Sequence, residues 1–224
     1  MRLANMLLLL NKARSFLDRY KAIDANMLSV VSRHLWLRMQ GKSILAHPSS
    51  VILGLKNIDI SGGTLRIGMN YVGFAHSGDV AFLNIGGAMR IVGDVSIERG
   101  CRIEVGTNAV VFIGARSYIN VNTKLVIMHE LCIGEGCTIS WDCELLDENF
   151  HHIYYPGKVD KGRKGIFIGN RVWIGSGVRV LPGAVIPDGC IVAAGSIVTK
   201  KFSETECLIA GNPAKVIRKG VSWS

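Results

Sequence analysis

Two adjacent histidines, His151 and His152, follow two carboxylates, Asp147 and Glu148, in one short stretch of the chain. An imidazole beside a carboxylate is the arrangement that makes a general base near neutral pH. The alternative is that these side chains are ordinary exposed residues of a loop. The spacing alone leaves both interpretations open.

The remaining histidines and the cysteines indicate packing rather than chemistry. Four histidines are expected to be structural: His34, His47, His76 and His129. No CxxC spacing occurs among the six cysteines, which argues against a zinc site or a redox pair. We therefore expect reduced thiols in a reducing compartment and no bound metal.

A six-residue repeat accounts for most of the chain. Aliphatic residues recur at every sixth position in the C-terminal half: Ile168, Ile174, Val180, Ile186, Val192 and Val198. Shorter runs in the same frame begin upstream at Ile91, Ile113 and Ile133. The fifth position of each hexad is small or β-branched, and four cysteines occupy it as small apolar fillers: Cys101, Cys137, Cys143 and Cys190.

A period of six fits neither an α-helix nor an alternating strand, but it suits short strands joined by tight corners. The hexapeptide β-helix has this pattern, and three hexads make one triangular turn. Residues 51–200 then supply roughly seven turns. A β-sandwich would instead show irregular turn spacings of about 8–12 residues. The sequence therefore predicts a mainly β protein built as a parallel β-helix.

Three segments fall outside this repeat. Residues 1–43 carry apolar residues at helical spacings and are predicted to form one or two amphipathic helices that end near Gly41. The β-helix is assigned to residues 44–200, with a long loop extruded at about 146–167. Residues 201–224 form a C-terminal tail.

Composition and charge exclude several classes of protein. The 224 residues are 49% hydrophobic but only 7% aromatic, as thin stacked layers of aliphatic residues require. The net charge of +9 lies at the two ends, with +6 in residues 1–43 and +3 in residues 200–224. No nucleic-acid-binding motif occurs. No apolar run reaches the roughly 18–20 residues of a membrane span, and residues 2–14 lack a signal-peptide cleavage pattern, so we expect a cytoplasmic protein.

The run IFIGNRVWIGSGVRVLPGAVIPDGCIVAAGSIVTK, followed by IAGNPAKVIRK, resembles the hexapeptide-repeat acyltransferases. The similarity is greatest to the galactoside, maltose and polysaccharide O-acetyltransferase branch, and it is most specific over residues 166–219. The resemblance implies a left-handed parallel β-helix that assembles as a homotrimer. It also implies that acetyl-CoA, the acetyl donor, lies in the groove between adjacent subunits.

The same resemblance implies roles for individual residues. The stretch DENFHHI matches the family's catalytic histidine motif at His151, with His152 at the variable position that follows. Asn120 matches an Asn-x-Asn element and is expected near the acceptor or the thioester. Asp147, Glu148 or a backbone carbonyl is expected to orient the His151 ring.

The resemblance also implies which residues hold the donor. Trp173 is expected at the wall of the groove, and backbone N–H groups near the thioester would stabilise an oxyanion. Basic and hydroxyl side chains would meet the nucleotide phosphates. The full set of implied donor contacts is Trp173, Gly175, Ser176, Ala194, Gly195, Thr199, Lys215 and Arg218.

These features predict an acetyl-CoA-dependent O-acetyltransferase that modifies a sugar hydroxyl of a surface polysaccharide, such as a capsule, O-antigen or exopolysaccharide. One departure bears on the acceptor: galactoside-type enzymes carry paired acids where this chain has Met128, His129 and Glu130. The alternative is an N-acetyltransferase of an amino-sugar or another small amine, or a serine or antibiotic acetyltransferase, followed by a non-catalytic interaction module. A γ-carbonic-anhydrase-type metalloenzyme would need three converging histidines, whose spacing is not found.

The basic N-terminal segment has two interpretations. It could bring the enzyme to lipid-linked substrates at the cytoplasmic face of the inner membrane as a peripheral contact. It could instead pack against the first turn of the β-helix or extend the acceptor pocket. The sequence does not choose between them.

Overall fold

The computed structural model describes residues 25–69, 75–76, 78–156, 158–160 and 165–224. Its one described α-helix, α1 (Met27–Met39), is capped by Asn26, whose side chain accepts a hydrogen bond from the Leu28 N–H. The predicted N-terminal helical segment is confirmed for α1. The rest of that prediction, residues 1–24, lies outside the described residues.

Short strands then wind through six complete turns and a seventh of two strands in a left-handed parallel β-helix, which confirms the predicted fold and its roughly seven turns. The strands are, turn by turn, β1 (Ile44–Ala46), β2 (Val51–Leu53) and β3 (Ile58–Ser61); β4 (Leu65–Ile67), β5 (Phe82–Ile85) and β6 (Ala88–Val92); β7 (Val95–Ile97), β8 (Arg102–Val105) and β9 (Val110–Ile113); β10 (Ser117–Ile119), β11 (Lys124–Ile127) and β12 (Glu130–Ile133); β13 (Thr138–Ile139), β14 (Glu144–Leu146), the hairpin β15 (Ile153–Tyr155) and β16 (Lys158–Asp160), and β17 (Ile166–Ile168); β18 (Trp173–Ile174), β19 (Arg179–Val180) and β20 (Val185–Ile186); β21 (Ile191–Val192) and β22 (Ile197–Val198); then β23 (Cys207–Gly211) and β24 (Ala214–Lys219).

The three strands of each turn belong to three different sheets. We call these sheets face A (β1, β4, β7, β10, β13, β18, β21, β23 and β24), face B (β2, β5, β8, β11, β14, β19 and β22) and face C (β3, β6, β9, β12, β17 and β20). Successive turns pair in parallel, as in Ile119 with Ile139 and Leu125 with Leu145. The AB edge is the row of corners between faces A and B, and the BC edge is the row between faces B and C.

The core is a stack of the aliphatic residues that define the repeat. Ile174, Val180 and Ile186 are fully buried, as are the equivalent residues of the second to fifth turns, whereas Ile52 and Ile60 of the first turn are partly buried. Fifth-position hydroxyls are buried and bonded to the neighbouring turn: Thr123 Oγ1 donates to the Ser140 carbonyl and accepts from the Cys143 N–H. The repeat therefore encodes both the aliphatic stack and the small corner residues beside it.

Helix α1 packs on the first turn of the β-helix. Leu37 joins the main core, and the Arg33 guanidinium donates to the carbonyls of His47, Pro48 and Ser50. His34 Nδ1 lies 2.8 Å from the Ile44 carbonyl. The interpretation in which the N-terminal segment packs against the first turn is thus confirmed for α1.

Two of the intervals between strands are longer than a single corner of the β-helix. The predicted extruded loop is confirmed between β14 and β17, where β15 and β16 pair as an antiparallel hairpin. The interval from β4 to β5, residues 68–81, is the other, and it falls where the sequence showed only a looser repeat. In the described part of the chain, no helix is both long enough and apolar enough to cross a membrane.

The buried thiols predict slow chemical modification. Burial raises the pKa of Cys101 to about 12 and the pKa values of Cys137 and Cys143 to about 11. At pH 8 a thiol of pKa 11 is ionised in about one molecule in a thousand, and the thiolate is the reactive form. We expect iodoacetamide to label these three cysteines rapidly only in denaturant, as followed by peptide mass spectrometry. Native labelling at the rate of a free thiol would contradict this burial.

Candidate active site

The residues singled out in the sequence fall on two different edges of the β-helix. Glu148 and His151 lie at the BC edge, where the extruded loop begins after β14. The corners of the AB edge carry most of the others, in the fourth, sixth and seventh turns: Asn120, Gly175, Ser176, Ala194 and Gly195. Face B separates the two edges within one chain.

Asp147 is a fully buried carboxylate at the base of the extruded loop. Its Oδ1 accepts the N–H of Met128 at 2.7 Å, and its Oδ2 accepts the N–H groups of His129 and Glu130 at 2.8 Å each. Asp147 therefore ties the beginning of the loop to the corner of the preceding turn.

Glu148 contacts His129 instead of His151. Its Oε2 lies 2.7 Å from His129 Nε2, and its Oε1 accepts the N–H groups of Asn149 and Phe150 at 2.9 and 3.3 Å. The hydrogen bond from His129 is the main reason that the pKa of Glu148 is lowered. The stabilisation from this carboxylate is therefore present at neutral pH and is lost as the pH falls through its folded-state pKa.

His151 is exposed on the loop and follows a strained residue. Phe150 adopts φ 61°, a left-handed conformation that is unusual for a bulky side chain. His152 is exposed as well, and its ring meets that of Tyr154 edge-on with centroids 6.5 Å apart. Both nearby carboxylates are committed to partners other than His151 among the described residues.

His129 was expected to be structural, and the sequence analysis missed its contact with Glu148. A signal for it exists in the register of the repeat. Val126 of β11 pairs with Leu146 of β14, so Met128 and Glu148 occupy equivalent places in adjacent turns. Counting along this register would have placed His129 beside the start of the loop.

Some backbone N–H groups at the AB edge already donate hydrogen bonds to neighbouring turns of the β-helix. The Gly175 N–H donates to the Val192 carbonyl, and the Gly195 N–H donates to the Ser176 carbonyl. A Cβ on Gly175 would lie 2.6 Å from the Ala194 nitrogen, so adjacent turns approach too closely here for any side chain. Of the implied backbone donors, those of Gly175 and Gly195 are thus engaged in contacts between turns.

Asn120 and Thr199 lie at corners that flank face B. Asn120 Oδ1 accepts the N–H of its neighbour Val121 at 2.8 Å, so the side chain is held against its own corner. Thr199 follows β22 and is half-buried.

Trp173 lies on face A with 39% of its surface exposed. Its Nε1 donates to Ser140 Oγ at 3.1 Å, which fixes the ring against the preceding turn. The ring of Trp223, from the C-terminal tail, lies 6.2 Å away at a 45° tilt, and Trp223 Nε1 donates to the Arg171 carbonyl at 2.8 Å. Trp223 thus extends the aromatic wall formed by Trp173, and the sequence analysis missed it.

The basic residues implied for phosphate binding lie on the terminal hairpin of face A. Lys215 and Arg218 are exposed on β24, which pairs antiparallel with β23. The neighbouring Lys219 forms an ion pair with Glu204 at 2.7 Å. No group of three or more potential metal ligands occurs within the described ranges.

The contact between the two tryptophans predicts a fluorescence change. Replacing Trp223 by alanine removes one face of the packing around Trp173, which then becomes more hydrated. We expect a red-shifted Trp173 emission and stronger acrylamide quenching, measured in a background where Trp36 and Trp141 are phenylalanine. Val221→Ala, in the same tail, is the control. An unchanged spectrum for Trp223→Ala would show that the tail does not cover Trp173 in solution.

Comparisons with known proteins agree with this architecture. The profile of the bacterial transferase hexapeptide family (six repeats) matches residues 165–200. A Klebsiella pneumoniae protein named "Uncharacterized 24.8 kDa protein in cps region" is 33% identical over 208 residues, 92% of this chain and 93% of that protein. The galactoside O-acetyltransferase of Escherichia coli K12 is 34% identical over 125 residues, 55% of this chain and 60% of that protein.

Further matches include a polysialic acid O-acetyltransferase and solved structures. The Escherichia coli O1:K1 polysialic acid O-acetyltransferase is 31% identical over 138 residues, 60% of this chain and 42% of that protein. The polySia specific acetyltransferase NeuO has a TM-score of 0.50 at 23% identity, covering 81% of this chain and 89% of that one. A mutant of AntD, an N-acyltransferase from Bacillus cereus in complex with dTDP and coenzyme A, has a TM-score of 0.51 at 19% identity, covering 80% and 82%.

The two structural matches show the fold. The hexapeptide profile, the full-length relative and the stacked hexads of the β-helix agree with one another. The chain therefore belongs to the hexapeptide-repeat family of acyltransferases.

Proposed function

We propose that this protein is an acetyl-CoA-dependent O-acetyltransferase that modifies a sugar hydroxyl during the synthesis of a surface polysaccharide, such as a capsule, O-antigen or exopolysaccharide. Two relatives named for O-acetyl transfer to polysialic acid and to galactosides support the acceptor class. A relative named for a cps region, which matches over nearly its whole length, supports the polysaccharide context.

The donor proposed is acetyl-CoA, and the residues present fit such a ligand. Trp173 and the tail around Trp223 offer an aromatic wall, and the exposed Lys215 and Arg218 offer cations for phosphates. Thr199, Ser176 and the exposed corner at Ala194 complete the proposed contacts. When bound, acetyl-CoA supplies an acetyl group activated as a thioester.

The observation that carries the proposal is the separation of the two edges. His151 leaves the β-helix at the BC edge, whereas Trp173 lies on face A and Ser176 at the AB edge. Within one chain, face B lies between the proposed base and these donor contacts, and Thr199 is the one proposed donor contact at the BC edge. We therefore propose a homotrimer in which the BC edge of one subunit faces the AB edge of the next.

His151 has the proposed role of general base. A sugar hydroxyl has a pKa far above 7, so an unprotonated imidazole nitrogen of His151 removes its proton as the oxygen attacks the acetyl carbonyl. Such assistance contributes about 10²–10⁴-fold to the rate. The same nitrogen then returns the proton to the departing sulfur. Asn120 and the backbone around Ser176 lie at the AB edge, where they would face the carbonyl oxygen and stabilise its developing charge.

Acetyl transfer to an amine is the second candidate function. AntD, named an N-acyltransferase, shares the fold, and an amine acceptor would use the same kind of base. A third possibility is a non-catalytic module that binds CoA without turnover. The two catalytic functions differ in whether a hydroxyl or an amine acceptor is consumed, and the non-catalytic module consumes neither. A direct assay of acceptor turnover distinguishes all three.

We also propose a cytoplasmic location with peripheral contact at the inner membrane through the N-terminal segment. Support comes from the +6 charge of residues 1–43 and from exposed apolar side chains on α1, namely Leu28, Leu35, Trp36 and Met39. Co-sedimentation with anionic lipid vesicles tests this contact.

Release of CoA thiol from acetyl-CoA tests the proposed function. The purified protein is supplied in parallel with nucleotide-sugars, glycan fragments and their amino-sugar counterparts, and CoA binding is measured by calorimetry. We expect turnover with hydroxyl acceptors and a trimer by light scattering. Turnover only with amino-sugars would favour N-acetylation, and CoA binding without turnover would favour the non-catalytic module.

A further inference from the structure

We propose that His129 is a positioning residue, whose hydrogen bond to Glu148 fixes the start of the extruded loop and thereby places His151. This inference rests on the proposed function, because it takes His151 to be the base. It adds a residue from the preceding turn of the β-helix to the machinery of the loop.

The contact joins two adjacent corners of the BC edge. His129 lies between β11 and β12, and Glu148 follows β14 in the next turn. Their side chains are 26% and 27% exposed, and the 2.7 Å distance from Nε2 to Oε2 is that of a strong hydrogen bond to an ionised acceptor. Because both side chains are partly buried, solvent weakens this hydrogen bond less than it would a fully exposed one.

The contact is one of several hydrogen bonds that fix the chain at residues 147–150, where the loop begins. Asp147 binds three N–H groups of the His129 corner, and Glu148 binds His129 through one oxygen and the N–H groups of Asn149 and Phe150 through the other. The two corners are therefore joined by hydrogen bonds that involve both backbone and side-chain groups. The loop is fixed up to Phe150.

The last residue of this turn is strained. Phe150 adopts φ 61°, a conformation that persists only where surrounding contacts impose it. His151 is the next residue, so the direction in which it leaves the turn depends on Phe150. Releasing Glu148 from His129 lets the turn relax, and a displacement of about 1 Å in a catalytic group can cost roughly a hundredfold in rate.

A role through Glu148 fits these contacts better than direct proton transfer by His129. Glu148 accepts three hydrogen bonds and its pKa is lowered, so it stays ionised near neutral pH. The Nε2 atom of His129 is occupied by that carboxylate. His129 thus acts as a hydrogen-bond donor, a task that a glutamine amide can also perform.

The test compares His129→Ala with His129→Gln in the full chain, with acetyl-CoA and the best acceptor from the panel. We expect His129→Ala to lower kcat about 10–100-fold, with KM for acetyl-CoA and calorimetric CoA affinity within about threefold of the wild type. His129→Gln should restore kcat to within about threefold, because its amide can donate to Glu148. Glu135→Gln, which removes an exposed ion pair with Arg116, is the matched control and should not change kcat.

Amide hydrogen exchange gives a readout that needs no substrate. We expect His129→Ala to speed exchange at Asn149 and Phe150 about tenfold or more, and His129→Gln to leave it near the wild-type rate. Adding His129→Ala to Glu148→Ala should cost no further activity, because both remove one interaction.

Three outcomes would overturn the inference: wild-type kcat in His129→Ala, unchanged exchange at Asn149 and Phe150, or His129→Gln as inactive as His129→Ala. The last would show that a hydrogen-bond donor to Glu148 at this position is not sufficient for activity. Failure of the proposed function looks different, because the wild-type protein itself would then turn over no hydroxyl acceptor, whatever the exchange data show.

Discussion

Replacing His151 by alanine is expected to lower kcat for acetyl transfer by about 10²–10⁴-fold, the contribution typical of a general base. His151 is proposed to contact the acceptor hydroxyl, whereas the proposed contacts to CoA come from other residues, so CoA affinity should stay within about threefold of the wild type. Thiol release and calorimetry on the same preparation measure the two quantities.

His152→Ala is the control for this result. The two histidines are adjacent and both exposed, so their replacement should affect folding equally little. We expect His152→Ala to lose less than about tenfold in kcat. If the large loss appears in His152→Ala instead, the base is His152. If neither variant loses activity, the loop histidines are not catalytic.

Replacing Asp147 by alanine is expected to lower the free energy of unfolding by about 3 kcal/mol or more. Its carboxylate is fully buried and accepts three backbone N–H groups from the corner at residues 128–130. Alanine leaves those donors without their partner and a gap at the base of the loop. Urea denaturation followed by circular dichroism measures the change.

A graded series sharpens this test. Asp147→Asn keeps one carbonyl oxygen and the side-chain shape, so it should cost less than Asp147→Ala. Asp142→Asn removes an exposed carboxylate from the preceding corner and should change stability by less than about 0.5 kcal/mol. Equal stability of Asp147→Ala and the wild type would mean that water replaces the carboxylate at no cost.

Much of the fold followed from the repeat. One aliphatic residue in six predicted the β-helix, its approximate number of turns and the burial of Cys101, Cys137, Cys143 and Cys190, all of which the structure confirms. The interruption after Leu145 predicted the extruded loop, and helical spacing predicted α1. The boundaries proposed for the three segments stay predictions.

The candidate site followed from the sequence only in part. The motif DENFHHI identified the stretch that contains His151, but it did not show that Glu148 turns towards His129. The run VWIGS drew attention to Trp173, but nothing local indicated that Trp223 returns from the tail to meet it. The sequence singled out these stretches but did not indicate which residues of other turns or of the tail they contact.

The physical reason for this difference is that a periodic pattern determines which way each residue faces, but not which residues of neighbouring turns lie next to one another. Within a hexad, the side that a residue faces depends on its position alone, so the amino-acid sequence by itself determined the buried core, the corners and the family. Contacts between turns depend on which corner stacks on which, and the breaks between runs of hexads, such as that between Leu125 and Ile133, interrupt that count. Tertiary structure therefore decided that His129 contacts Glu148, that Trp223 packs beside Trp173, and that the BC and AB edges are held apart by face B.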